Sequence, residues 1–190
     1  MSEVFFERSF RAPVTATEAG ALALEIAHEL DPTGTRREFL LSTDGRRLLC
    51  RLDSHTPVAS LDAGSSRIWS GTARHTGAAS SDAAAEELVD LVGERSLDAQ
   101  SRSGARPLEH ACRWCAAVHR VHLVEVFEST DGLRVIGIFR APDAESVRLA
   151  YHGASEPLDS VWTYRRVPLA AARAADVLAL RFARMRLGRS

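Results

Sequence analysis

Cysteine and histidine side chains recur at short spacings in the second half of the chain. The run is Cys112-x-x-Cys115-x-x-x-His119-x-x-His122, and His110 lies just before it. On a continuous helix the four residues from Cys112 to His122 fall within an arc of about 80°. Thiolates combined with imidazoles suit zinc, copper or nickel, so the spacing is compatible with a metal site. The same positions coincide with the apolar stripe of the predicted helix, so buried core cysteines and a redox dithiol are the alternatives.

Two glutamates, Glu7 and Glu94, form the second candidate group because both lie inside predicted strands. Strand alternation places Glu7 with Phe5 on one face and Phe6 on the other, which is expected to pack on a helix. A carboxylate on the interior face needs a metal, an arginine or a hydrogen-bonding ligand, since an unpaired buried charge is strongly destabilising. An internal Glu–Arg pair and a position at the rim that faces water are the structural alternatives to a ligand site.

The composition excludes several classes of function. All 24 basic residues among the 190 are arginine, so lysine Schiff-base, lysine general-base and P-loop lysine chemistry are excluded. The net charge of −1 predicts no nucleic-acid partner, because phosphate binding needs surplus basic charge. Three cysteines and no apolar stretch of membrane-spanning length predict a cytoplasmic protein with no membrane partner. The sequence also lacks G-x-S-x-G, G-x-G-x-x-G and H-E-x-x-H.

The chain repeats itself at an offset of 87 residues. Glu-Arg-Ser at 7–9 recurs at 94–96, and Ser-Thr-Asp-Gly at 42–45 recurs at 129–132. Two identities at one common offset indicate a gene duplication. Two unrelated hairpins with the same Asp-Gly turn would account for the second match alone.

Both halves predict the same order of elements. The first half predicts a strand over 3–10, a helix from an N-cap at Thr17 to Leu30, hairpin strands over 37–41 and 46–53, a short helix after Pro57 and a strand over 67–72. The second half predicts a strand over 89–97, a helix over 107–120, hairpin strands over 122–128 and 133–140, a helix from Pro142 to Ala154 and a strand over 160–167. A further helix is expected from Pro168 to Leu187.

This β-α-β-β-α-β order is typical of the ferredoxin-like class, so the predicted fold is α+β. One face of each sheet lacks helices and must be buried elsewhere, which predicts two repeats forming an intramolecular pseudo-dimeric α/β barrel. The predicted domains are 1–75 with a truncated second helix, a connection over 76–87, 88–167, and the C-terminal helix over 168–190. The expected assembly is a monomer or a weak homodimer.

The stretch 138–148, Ile-Phe-Arg-Ala-Pro-Asp-Ala-Glu-Ser-Val-Arg, resembles the small nickel-responsive, ferredoxin-like domain family of actinobacteria, long classed as of unknown function. An apolar-apolar-Glu-Arg first strand and a final Val-Trp strand extend the resemblance. It implies a dimeric α/β barrel with a metal or small-ligand site near the sheets, and a divalent transition metal such as nickel as the cofactor.

This chain departs from that family at its histidines. The family's strand histidine is replaced by Glu38 and Glu125, which could complete an oxygen-rich site favouring manganese or magnesium. A plain glutamate before a hairpin is the alternative at both positions. The family tends to have a histidine shortly after the Val-Arg of its second helix, and in this chain it is shifted by about two positions to His152, next to Tyr151.

The sequence therefore predicts a protein that binds a small molecule or a metal ion between its sheets. The expected ligand-binding residues, most of them in the second repeat, are Glu7, Glu94, Glu125, Tyr151 and His152. The expected metal ligands, if there is a metal site in the helix, are Cys112, Cys115, His119 and His122. The alternative is a cofactor-free oxygenase, cyclase or isomerase of bacterial specialised metabolism with a glutamate or histidine general base.

Overall fold

The computed structural model describes residues 2–30, 37–54, 61–63, 65–75, 88–97 and 108–168. The predicted connection over 76–87, the start of the short helix after Pro57 and the C-terminal helix lie outside these ranges. The chain divides into two compact units: unit 1 is Met1–Ser70 with Arg165–Ser190, and unit 2 is Gly71–Tyr164. The domain limits expected from the sequence stay predictions.

The described part of unit 1 contains four whole strands, half of a fifth strand and one long helix. Its elements are β1 (Ser2–Ser9), α1 (Ala16–Leu30), β2 (Arg37–Ser42), β3 (Arg47–Ser54), β4 (Leu61–Ala63) and the first half of β5 (Ser66–His75). The sheet runs in the order β5-β1-β3-β2, and the β1–β3 and β2–β3 pairs are antiparallel. The strand β4 pairs with β5 in a region where the sequence predicted a short helix, so that prediction is wrong over 61–63.

Unit 2 has the same strand order. Its elements are β6 (Val89–Ser96), α2 (Leu108–Ala111), α3 (Arg113–Val118), β7 (His122–Ser129), β8 (Arg134–Ala141), α4 (Ala144–Gly153) and most of β9 (Ser160–Arg166). The order is β9-β6-β8-β7, so the last strand lies beside the first in both units. The α+β class is confirmed, and unit 2 has the predicted β-α-β-β-α-β order with its first helix divided into α2 and α3. Barrel closure and duplication stay predictions.

The helix α1 begins with a capping box. Thr15 accepts a hydrogen bond from the backbone N–H of Glu18 at 3.2 Å, and Glu18 accepts from the backbone N–H of Thr15 at 2.9 Å. These bonds satisfy donors that the first helical turn leaves unpaired. The N-cap is therefore Thr15. The sequence had predicted Thr17, so that prediction is wrong. The helix packs on the sheet face that carries Val4, Phe6 and Phe39, and the predicted face assignment of β1 is confirmed.

Both Ser-Thr-Asp-Gly hairpin turns have the same geometry. The hydroxyl of Ser42 donates to the carboxylate of Asp44 at 2.6 Å, and the equivalent bond 87 residues later is also 2.6 Å. Gly45 and its equivalent Gly132 adopt φ angles of 71° and 67°, a left-handed conformation that favours glycine. The bonds from Ser42 and from the backbone N–H of Arg46 hold the pKa of Asp44 below its usual value.

Strand registers also repeat at the offset seen in the sequence. Glu7 lies opposite Leu49 in the β1–β3 pair, and Glu94 lies opposite Ile136 in the β6–β8 pair. The two opposing residues, Leu49 and Ile136, are also 87 residues apart in the sequence. A one-residue change of register would turn every side chain to the other face, so equal registers keep equivalent residues on equivalent faces.

A pair of glycines makes room for one aromatic ring in unit 2. Gly93 lies directly opposite Gly137, and a Cβ atom on Gly137 would be 2.4 Å from the Cζ atom of Phe139. A Cβ atom on Gly93 would be 2.8 Å from the Cε2 atom of the same ring. The equivalent cross-strand pair in unit 1 is Phe6 opposite Cys50, so there the aromatic ring belongs to the first strand.

The helix predicted over 107–120 is interrupted. Cys112 adopts an extended conformation, with φ −155° and ψ 88°, between the short helices α2 and α3. The helix α3 ends at Val118, Arg120 has a φ angle of 53°, and His122 already belongs to β7. The predicted 80° arc required an unbroken helix, so that prediction is wrong.

The cap of α4 provides a pH-dependent test of this fold. Asp143 accepts hydrogen bonds from the backbone N–H of Ser146 at 2.7 Å and from its hydroxyl at 2.8 Å, and these bonds hold the pKa of Asp143 below its usual value. A lowered carboxyl pKa stabilises the folded state above the unfolded value of about 3.9, and this contribution is lost as the pH falls through the folded pKa.

We therefore expect Asp143→Ala to lower the melting temperature at neutral pH, with a difference from wild type that shrinks below about pH 4. The asparagine in Asp143→Asn can still accept the capping hydrogen bonds but does not titrate, so the melting temperature of this variant should be close to that of wild type at neutral pH. Circular dichroism melts across this pH range measure both. A wild type–alanine difference that does not change with pH would contradict the assignment.

Candidate functional site

The carboxylate of Glu7 is held by an indole in unit 1. The Nε1–H group of Trp69 donates to Glu7 Oε1 at 2.5 Å. The indole stacks on Phe5 with a centroid separation of 4.2 Å and an interplanar angle of 13°, and it is 1% exposed. Glu7 lies on the face opposite the helix, as expected, and its polar partner is an indole N–H group instead of the expected metal, arginine or ligand.

Unit 2 contains an equivalent pair. The Nε1–H group of Trp162 donates to Glu94 Oε1 at 2.7 Å, and Arg134 Nη2 lies 3.5 Å from Glu94 Oε2. The β6–β9 register places Trp162 opposite Val92, which shares a strand face with Glu94. The Glu94 side chain is 19% exposed and that of Arg134 is 11% exposed, so this ion pair is only partly accessible to water.

The two tryptophans were missed because they are 93 residues apart and not 87. The additional six residues fall between the second hairpin and the last strand, where unit 2 contains the full helix α4. A signal was nevertheless present, because each half ends in a strand with an apolar residue before tryptophan: Ile68-Trp69 and Val161-Trp162.

On the same sheet face of unit 1, Arg51 joins two glutamates. Its Nε and Nη2 groups bind the two oxygens of Glu3 at 3.0 and 2.7 Å, and its Nη1 lies 3.5 Å from Glu38 Oε2. Arg166 lies 3.2 Å from the other oxygen of Glu38. Glu38 therefore has two arginine partners, which favours an ion-pair role over the oxygen-rich metal site suggested by the sequence.

Glu125 shares a sheet face with Glu94. It lies opposite Ile138 in β7–β8, next to a register shift at Leu123/Glu125, and Ile138 lies opposite Val92 in β6–β8. Directly opposed residues point to the same face, so Glu125 lies two strands away from β6 on the face that carries Glu94. This side chain is half-buried.

Tyr151 lies on the other face. It is 4% exposed, its ring contacts Phe139 edge to face at 5.9 Å, and the guanidinium of Arg95 lies 5.4 Å from the ring centre. Burial raises the pKa of Tyr151 to about 12, and Arg95 opposes this shift. Because Arg95 directly follows Glu94 in the strand, the two side chains point to opposite faces, and the sheet separates Tyr151 from Glu94.

The predicted ligand-binding group is thus only partly brought together. Glu94 and Glu125 share a face, Tyr151 packs in the helix-side core beside the Arg95–Glu156 ion pair, and His152 is exposed near the end of α4. The tyrosine and the histidine are adjacent in sequence but diverge on the helix. The carboxylates and their indole partners remain as the candidate site.

The predicted metal ligands are also rearranged. Cys112 and Cys115 form a disulfide with Cα atoms 5.3 Å apart, so neither sulfur is a thiolate. His119 caps the end of α3, and His122 lies in β7. Across the part of the chain that the structure describes, no three histidine, cysteine, aspartate or glutamate side chains converge on a metal position. These residues do not fit the nickel site implied by the family resemblance.

Comparison with known proteins finds no matching family model and no matching curated protein. A crystal structure of an anthrone oxidase-like protein is similar over 88% of this chain and 91% of that chain, with a TM-score of 0.52 and 13% sequence identity. At this identity the similarity shows a shared fold alone.

Two further structures match with lower TM-scores. A proposed monooxygenase from Lactobacillus acidophilus has a TM-score of 0.44 and 10% identity, covering 88% of this chain and 94% of its own. A proposed chlorite dismutase has a TM-score of 0.42 and 12% identity, covering 93% of this chain and 98% of its own.

Within the described ranges, none of the helices has the length and apolar character that crossing a bilayer requires.

Proposed function

We propose that this chain binds a small organic molecule at the Glu94 carboxylate of unit 2. The observation that carries the proposal is that each unit contains a strand glutamate hydrogen-bonded to an indole of its last strand, at 2.5 Å in unit 1 and 2.7 Å in unit 2. A donor of fixed direction orients the carboxylate, and pre-oriented charged acceptors make strong, directional hydrogen bonds to ligands.

The chemistry of this position favours a neutral ligand with an aromatic ring and a hydroxyl or keto group. A carboxylate offers about four acceptor positions, so one oriented by Trp162 can also accept from a ligand hydroxyl. Arg134 supplies N–H donors beside it, suited to a keto oxygen. The indole of Trp162 is half-buried and can contribute ring contact.

The two pairs differ in accessibility, which supports unit 2 as the functional one. Trp69 is 1% exposed and covered by the Phe5 ring, whereas Trp162 is half-buried. A buried, stacked indole is typical of core packing. The Glu7 pair is therefore proposed to serve the stability of unit 1.

Glu94→Gln is expected to weaken ligand binding by about tenfold or more, since the substitution removes a charge at nearly constant volume. Glu7→Gln should have a smaller effect. Anthrone, an aromatic ketone, serves as the probe, and binding is followed by tryptophan fluorescence. All variants carry Trp114→Phe, which removes emission from an indole that is 73% exposed.

The matched control is Glu145→Gln, an exposed glutamate of the same unit. It should bind the probe like the parent. Equal losses for Glu94→Gln and Glu7→Gln, or no saturable change with the probe, would count against a ligand site at Glu94.

A cofactor-free enzyme is the second candidate, and the similarity to the anthrone oxidase-like structure is the observation that favours it. A carboxylate can act as a general base on a ketone with an acidic C–H group, and molecular oxygen would then be the oxidant. Absorbance measurements with anthrone and oxygen separate this candidate from pure binding. Turnover that is lost in Glu94→Gln supports the enzyme, and saturable binding without turnover supports the binding protein.

A common origin of the two units is part of the proposal. The equal registers, the equal hairpins and the equivalent Glu–Trp pairs support a tandem duplication followed by divergence.

A bound metal ion is the remaining ligand class predicted from the sequence. Elemental analysis of the protein purified without a chelator or a histidine tag tests for it directly.

A further inference from the structure

We propose that the Cys112–Cys115 disulfide is redox-active and exchanges with low-molecular-weight thiols. The two cysteines are three residues apart, and their disulfide lies where the chain passes from α2 to α3. This pair has no part in the proposed ligand site, so the inference is independent of that function.

Loop length argues against a purely structural role. A disulfide stabilises a protein mainly by restricting its unfolded chain, and in this account the effect grows with the length of the closed loop. A separation of three residues closes one of the shortest loops available to a disulfide. The bond therefore stabilises the fold less than a disulfide that closes a long loop.

The two cysteines differ in burial. Cys115 is 5% exposed, and a Cβ atom added to Gly153 would lie 3.3 Å from its sulfur, so the end of α4 packs closely against it. Cys112 is half-buried. The less buried Cys112 is therefore the residue that an incoming thiolate attacks in this proposal, and Cys115 is the leaving group.

The geometry also favours a reactive thiolate at Cys112 after reduction. The backbone N–H of Cys115 points to the sulfur of Cys112, with a nitrogen–sulfur distance of 3.1 Å. A hydrogen bond to the charged form of a group favours that form. Nucleophilic attack by cysteine requires the thiolate, so Cys112 is the attacking residue in the reverse reaction.

The exchange proceeds in two steps. In the first, a glutathione thiolate attacks Cys112 Sγ, the Cys112–Cys115 bond breaks, a glutathione–Cys112 bond forms, and Cys115 leaves as a thiolate. In the second, another glutathione thiolate attacks the glutathione sulfur, which releases oxidised glutathione and the Cys112 thiolate. Two thiols are oxidised to one disulfide and the protein disulfide is reduced to a dithiol, so the two electrons and the protons balance.

The first experiment measures the equilibrium in the wild-type chain. Reduction is expected to be substantial at about 10 mM reduced glutathione, whereas structural disulfides resist the glutathione pool. The redox state is read by trapping with a maleimide and mass spectrometry. Emission from the exposed Trp114, which lies between the two cysteines, provides a second signal, and Trp114→Phe is its control.

The second experiment tests the difference between the sulfurs. In Cys115→Ser, Cys112 should react with Ellman's reagent on the order of 100-fold faster than Cys115 does in Cys112→Ser. The double variant Cys112→Ser/Cys115→Ser measures the background from Cys50, which is fully buried and whose thiol pKa is raised by that burial.

The results expected are reduction of the wild-type disulfide by glutathione and faster reaction of Cys112. A disulfide that stays oxidised in this buffer would overturn the proposal, and so would equal reaction rates of the two single variants. The wild-type measurement does not depend on the folding of any variant.

Discussion

Replacing Arg51 with methionine is expected to lower the free energy of unfolding by about 3–5 kcal/mol, the scale seen when one partner of a buried ion pair is removed. The Arg51 side chain is 4% exposed and binds both oxygens of Glu3, which is itself 8% exposed. Methionine preserves much of the apolar stem but leaves the Glu3 carboxylate buried without its guanidinium. Urea unfolding followed by circular dichroism measures the change.

A surface pair provides the control. Arg140 and Asp90 form a cross-strand ion pair at 3.5 Å in which both side chains are about half exposed, so Arg140→Met should cost about 1 kcal/mol or less. The double variant Arg51→Met/Glu3→Leu should recover much of the stability, because it removes both buried charges. If Arg51→Met is no more destabilising than Arg140→Met, the buried Glu3–Arg51 pair contributes no more to the free energy of unfolding than the exposed pair does.

The second large effect is expected at Trp69. Trp69→Ala should destabilise the fold by about 3–5 kcal/mol, since it removes a fully buried ring and leaves a cavity beside Phe5. Trp69→Phe keeps the stacked ring but removes the donor to Glu7. It should cost about 1–3 kcal/mol, the range for losing the donor of a hydrogen bond to a partly buried carboxylate.

The same unfolding experiment measures both Trp69 variants. Trp114→Ala provides the comparison, because that indole is 73% exposed and its loss should change stability by about 0.5 kcal/mol or less. A Trp69→Phe variant as stable as wild type would show that the hydrogen bond to Glu7 contributes no stability, and a mild Trp69→Ala variant would argue against the observed packing.

Much of the fold followed from local signals in the sequence. The hairpin turns have glycine where a left-handed conformation is required, and α1 has apolar residues at helical spacing before a stop signal at 31–34. The alternation in β1 assigned Phe6 to the helix side and Glu7 to the opposite face, as observed. These features depend on residues close together in sequence, for which spacing alone carries the information.

The features that the sequence did not predict, or predicted incorrectly, depended on long-range or competing interactions. The Glu3–Arg51 pair forms between residues that become neighbours only through the β1–β3 register. The cysteine–histidine stripe assumed a continuous helix, whereas a sulfur–sulfur bond and an extended residue at Cys112 interrupt it. Helical periodicity describes where side chains would lie if a helix formed. It does not show whether a disulfide interrupts that helix.

The glycine pair beneath Phe139 restricts which residues the first and third strands of unit 2 accept at these positions. In unit 2 the bulky ring extends from the third strand over Gly93 and Gly137, and in unit 1 the ring of Phe6 extends from the first strand, opposite Cys50. Converting Gly93 to phenylalanine alone would place two rings in the volume of one. Under the proposed tandem duplication, a path between the two arrangements must substitute both strands together, so these positions are expected to covary within each half and to resist gene conversion between the halves.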